Sequence, residues 1–93
     1  MSRMSFLPGL KFYLKGMGII YTVRKYQMSE AIVEVEDLGK CKRIPMGVVG
    51  GKQDLIPYVK YSGFNSLEDW WNKIKFFIPG NDTMYLYRVE VIK

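Results

Sequence analysis

Met84-Tyr85-Leu86-Tyr87-Arg88-Val89-Glu90-Val91-Ile92 is a run of almost unbroken strand composition. β-Branched and aromatic side chains fit a pleated backbone, and a first half that is apolar on both faces predicts a central strand with neighbours on each side. Three upstream stretches can supply those neighbours. Residues 19–26, Ile19-Ile20-Tyr21-Thr22-Val23-Arg24-Lys25-Tyr26, form one of them. Their alternation sends Thr22, Arg24 and Tyr26 to one face and Tyr21, Val23 and Lys25 to the other. Residues 31–36 alternate more cleanly, with Ala31, Val33 and Val35 inward and Glu34 and Glu36 outward. Residues 41–49 read as a further strand interrupted at Pro45 and Gly47.

Helical periodicity brackets these strands. From 6 to 15 the apolar residues Phe6, Leu7, Leu10, Tyr13 and Leu14 recur at spacings of three and four, predicting a short helix that Pro8 can start and that Gly16 and Gly18 stop. Leu67, Trp70, Trp71, Ile74, Phe77 and Ile78 share one stripe of a second helix, with Ser66 and Asp69 in capping-box spacing. Asp69 and Lys73 are one turn apart and able to pair, and Pro79-Gly80 ends the element. Between the two, Gly50-Gly51 marks a corner after which Asp54 can cap a short helical turn that takes Pro57 in its first turn. Alternating βα units are absent, so the class is α+β. The expected architecture is a small curved, mainly antiparallel β-barrel with two to three short helices, since closure hides sheet edges in so short a chain.

The 93 residues fit one domain, 1–93, and 48% hydrophobic content can fill its core without staples. No apolar run approaches the roughly 20 residues of a bilayer span, and no secretory leader is evident, so a cytoplasmic protein without membrane contact is expected. Cys41 is the one cysteine and histidine is absent. That composition excludes internal disulfides, Cys/His zinc sites, Ser-His triads and Cys-His dyads, and neither metal nor cofactor is expected. The net charge of +5 sits entirely in residues 1–52, which hold nine Lys/Arg against four acids. Such a basic half favours a polyanionic partner, nucleic acid being the simplest, while a merely solubilising surface is the plain alternative.

Local arrangements narrow the candidates. Gly16-Met17-Gly18 precedes Thr22 and Arg24, a hydroxyl and a guanidinium two residues apart on one strand face, with Tyr26 beside them for stacking. The same spacing also fits a helix stop followed by a strand whose arginine caps the sheet edge. Lys25, Lys42 and Arg43 can reach phosphates, the last two from the basic stretch Lys40-Cys41-Lys42-Arg43. Trp70, Trp71, Tyr85 and Tyr87 read as core packing, with one tryptophan buried and the other at its border.

The strand Tyr21-Thr22-Val23-Arg24-Lys25, after a short helix and glycines, resembles the Gly-x-Lys-x-x-Thr-x-Arg signature of the ASCH domain, a member of the PUA-like superfamily. Tyr61-Ser62-Gly63-Phe64-Asn65-Ser66-Leu67-Glu68-Asp69-Trp70-Trp71 is similar to that family's Gly-Phe-x-Ser-x-Glu-x-Trp helix start, and residues 85–92 to its final strand. The Ser-Gly-Phe and Leu-Tyr-Arg-Val pieces are most like small archaeal members. The resemblance runs over residues 6–93 and implies a PUA-like barrel whose cleft binds RNA or a nucleotide-like ligand. Thr22 and Arg24 take the matching positions, with Gly16 or Gly18 as the turn glycine. Relatives that hydrolyse acetylated cytidine use a lysine between glycine and threonine together with a glutamate. Here Gly18, Ile19 and Ile20 fill that stretch and Ser62-Gly63 stands at the glutamate's place, so binding is expected rather than catalysis and no catalytic residue is assigned. A small hydrolase of the same fold, either nucleoside amidohydrolase or ribonuclease, and a protein-interaction adaptor are the rival readings.

Overall fold

The computed structural model describes residues 2–92 and is an α+β arrangement of five strands and three helical segments. In chain order these are β1 (Ser2–Met4), α1 (Pro8–Met17), β2 (Ile19–Arg24), β3 (Ala31–Val35), β4 (Gly39–Val49), a 3-10 helix (Lys52–Tyr61), α2 (Leu67–Phe77) and β5 (Met84–Val91). The strands form one mixed sheet in the order β1-β3-β4-β5-β2, antiparallel except where β1 runs parallel to β3. β5 lies between β4 and β2, as its two-faced apolar composition requires.

The sheet separates two apolar clusters. Val33, Val35, Cys41, Ile20 and Val89 meet Leu14 of α1 on one face. On the other, Val49, Met84 and Leu86 pack against Leu55 of the 3-10 helix and Trp70 and Ile74 of α2. One strand serves both sides because of a bulge in β4. Pro45 pairs with Tyr87 and Gly47 with Leu86, which leaves Met46 as the extra residue. That residue reverses the facing of everything after it, so Cys41 points into the first cluster and Val49 into the second.

Local chemistry sets the remaining boundaries. Pro8 occupies the first turn of α1, and Gly18 at φ 79° ends it in the left-handed conformation while donating to Leu14 O at 2.8 Å. Ser66 Oγ accepts from Asp69 N at 3.1 Å and starts α2. Asp54 does not cap from outside the turn; its Oδ2 accepts from Gly50 N at 2.7 Å and closes the glycine corner from within. Pro57 lies in the middle of the segment, which stays 3-10 over its ten residues.

Two expectations are corrected. The short strand β1 carries no periodicity of its own and exists because Ser2–Met4 can pair with Val33–Val35, burying Met4 to 5% exposure. The sheet is also not closed into a barrel: among the described residues β1 and β2 remain edge strands with no backbone ladder between them. A side chain spans the gap instead, because Arg24 Nη2 donates to Ser5 O at 2.8 Å. No helix among the described residues is long and apolar enough to cross a membrane.

Candidate nucleic-acid interface

The gap between the two sheet edges is where the candidate residues of β2 gather. Thr22 and Arg24 share the α1 face of an edge strand, so neither is covered by a further strand, and both are half-buried. Arg24 Nε donates to Thr22 Oγ1 at 3.2 Å, and the guanidinium lies 4.9 Å from the centre of the Phe6 ring. These contacts orient the fork but leave its charge unmatched, since none of the ion pairs among the described residues involves Arg24. Burial pulls the guanidinium below its ordinary pKa, yet an arginine stays cationic at neutral pH. A partly desolvated cation with no carboxylate is a ready partner for an anion.

Lys25 and Tyr26 follow β2 into a loop that is held rather than loose. The Tyr87 hydroxyl donates to Tyr26 O at 2.7 Å and accepts from Met28 N at 2.6 Å. Tyr26 is thereby presented with 66% of its surface exposed, and the Lys25 ammonium stands 5.4 Å from its ring centre. An exposed aromatic on a held backbone, beside a cation, is the usual chemistry of base stacking next to a phosphate.

These four residues line a cleft of about 640 Å³ whose other walls are the segment before α1 and one side of α2. Phe6 and Leu7 come from the first wall, and Trp70, Lys73, Ile74 and Phe77 from the second. Arg3 and Lys73 join Arg24 and Lys25 as lining cations, and no acidic residue among the described residues lines the cleft. The volume suits a ligand of nucleotide size, with an apolar floor and a cationic border.

Sequence reading missed Arg3, Lys73 and Phe77 as wall residues. Arg3 lies on the unforeseen β1, and Lys73 was matched to Asp69. No such pair exists among the described residues; the Lys73 ammonium sits 5.6 Å from the Phe76 ring centre instead. Phe77 belongs to the apolar stripe of α2 but is 56% exposed, and a large aromatic left half open at the end of such a stripe is the signal available.

The other candidates lie elsewhere. Gly16 is within α1, and Gly18 is its cap, with its carbonyl accepting from Val91 N at 2.9 Å, so both glycines serve the helix end. Lys42 is on the opposite sheet face with Glu30 3.9 Å away. Arg43 is not a surface phosphate contact: it is 6% exposed, and its Nε and Nη2 donate to Ser29 O at 3.1 and 2.9 Å. The alternation of β4 turns it inward with Cys41, and the buried charge is held by that carbonyl. Cys41 is fully buried, and burial raises its thiol pKa, which removes it as a nucleophile. Trp70 is core at 3% exposure and Trp71 borders it, as their offset on the helix predicts.

Compared with known proteins, the chain matches no family model, no curated protein and no solved structure.

Proposed function

We propose that this chain is a cytoplasmic RNA-binding module of the PUA-like, ASCH-related kind, using the cleft between β2, the segment before α1 and α2. The observation that carries the reading is Arg24, a half-buried cation that has no carboxylate partner among the described residues, in a cleft that these residues line with three further cations and no acid. Arg24 receives a phosphate, Thr22 holds the guanidinium in orientation, and Tyr26 offers a face to a base. Lys25, Arg3 and Lys73 add a diffuse attraction that draws the strand in. The choice of RNA over DNA rests on the likeness of Tyr21–Lys25, Ser62-Gly63-Phe64 and Leu86-Tyr87-Arg88-Val89 to ASCH sequences. Gly16, Gly18, Lys42 and Arg43 are not part of the proposed contact.

The test is a salt titration of binding, read by fluorescence anisotropy, for single-stranded RNA, duplex RNA and single-stranded DNA side by side. Each phosphate neutralised on a single strand contributes about −0.7 to the slope of log K against log salt, so affinity should fall steadily as salt rises. Arg24→Ala should weaken binding and make the slope shallower by about 0.7. Binding that ignores salt, or that Arg24→Ala leaves intact, rejects the reading. Turnover of RNA or acetylated nucleosides that Thr22→Ala abolishes would replace it with a hydrolase.

A further inference from the structure

A second hollow lies on the far side of the pinned loop. It measures about 420 Å³ and shares Met28 with the main cleft, so the loop that follows β2 forms a ridge between two concavities. Its walls are Gln27, Ser29, Val48, Tyr85 and the bulged part of β4 at Pro45 and Gly47, and none of its lining residues is charged. The two hollows therefore differ in kind: one is cationic, the other neutral with amide and hydroxyl groups beside an exposed apolar side chain, since Val48 is 64% exposed.

Register sets their separation. Arg24 pairs with Tyr85, and Tyr85 with Val48, so the three stand abreast on one face of three neighbouring strands. Two interstrand spacings put the guanidinium strand and the second hollow roughly 10 Å apart. The ridge between them is fixed from beneath at several points. The Tyr87 hydroxyl holds Tyr26 and Met28, while Arg43 holds Ser29 through two donors and reaches Met28 Sδ at 3.4 Å. Lys25 and Tyr26, both exposed, belong to the same loop and line the main cleft.

Resting on the reading of the main cleft as an RNA site, we infer that the second hollow is a base subsite and that the ligand unit is two consecutive nucleotides of a single strand. The first nucleotide sits in the main cleft with its phosphate on Arg24, the linking phosphate crosses the ridge at Lys25, and the second base enters the neutral hollow. A neutral slot suits a base better than a phosphate, because Gln27 and Tyr85 can donate and accept while Val48 and Met28 offer apolar contact. Paired strands do not fit this arrangement, since both bases leave the stack to reach separate hollows.

The experiment compares adenosine monophosphate with the single-stranded dinucleotide and tetranucleotide of adenosine by calorimetry at one salt concentration, with backbone amide resonances followed in parallel. The dinucleotide should bind about tenfold more tightly than the mononucleotide, and the tetranucleotide little better than the dinucleotide. Gly47 and Val48 amides should shift with the dinucleotide and stay still with the mononucleotide, whereas those of 22–26 shift with both. Val48→Gln, which fills the hollow without adding charge, should remove the tenfold gain without changing mononucleotide affinity. Equal affinities for the two ligands, or silent Gly47 and Val48 amides while 22–26 respond, overturn the two-nucleotide site and leave the main cleft standing. A folded protein that binds none of the three ligands overturns both.

Discussion

The Tyr87 hydroxyl, on a ring only 1% exposed, meets its full hydrogen-bonding demand with two backbone groups of the loop after β2. Tyr87→Phe removes a donor and an acceptor at once and leaves Tyr26 O and Met28 N to find water across a packed ring. A loss of about 1–3 kcal/mol in chemical denaturation is expected. Faster amide exchange at Met28 should accompany it, because the ridge loses its underside support. Cys41 gives an independent check on burial. Its thiol pKa is raised by desolvation, so the folded state holds the proton more tightly than the unfolded chain. The resulting stability is complete below the ordinary thiol pKa and is lost as pH climbs through the raised one. An aromatic disulfide reagent at pH 8 should leave native Cys41 unmodified and react at once in denaturant; rapid reaction of the native protein would contradict the buried placement.

The joint between the 3-10 helix and α2 is decided by one backbone position. Gly63 has φ 85°, and a Cβ there would meet Leu10 Cδ2 at 2.7 Å, inside the packing of α1 against the sheet. Gly63→Ala therefore combines left-handed strain with a clash and should cost about 1–3 kcal/mol in thermal or denaturant unfolding. Gly16→Ala should act in the opposite sense. Gly16 is helical with nothing near its missing Cβ, so alanine should add about 0.5–1 kcal/mol while leaving RNA affinity unchanged. Lost affinity in a stable Gly16→Ala protein would restore that glycine to the site. Most of these elements were legible because their signals are local. The stripe on Leu67–Phe77, the alternation of Ala31–Val35 and the composition of Met84–Val91 each fall within one element. β1 and the open sheet were not, because three residues carry no period and closure depends on how far two distant edges curl. In the site, Thr22, Arg24, Lys25 and Tyr26 were readable as one strand and its continuation. Arg3 and Lys73 reach the cleft only through tertiary placement, whereas the inward turn of Arg43 follows from its sharing a β4 face with Cys41, and which face of that strand is covered is decided by its pairing with β3 and β5.

Folding brings the cations of the cleft together from residues far apart in sequence, Arg3, Arg24, Lys25 and Lys73, with no lining acid among the described residues to offset them. Gathering like charges around a partly desolvated guanidinium destabilises the empty protein, and an anionic ligand relieves the same repulsion. Stability and binding should therefore trade off at Arg24. Arg24→Met keeps the apolar stem against Phe6 and removes the uncompensated charge, at the loss of bonds to Ser5 O and Thr22 Oγ1. Desolvation of the charge opposes those two bonds, one of which goes to an exposed carbonyl, so the ligand-free variant should melt close to the parent. The parent should gain about 2.7 kcal/mol from single-stranded RNA held at one hundred times its Kd, because only the folded state binds. The variant should gain almost nothing at that RNA concentration, and added salt should erase the parent's gain. A variant that melts well below the parent would show Arg24 to be a strut between the sheet edges. Equal stabilisation of both proteins by RNA would place the binding surface away from this cleft.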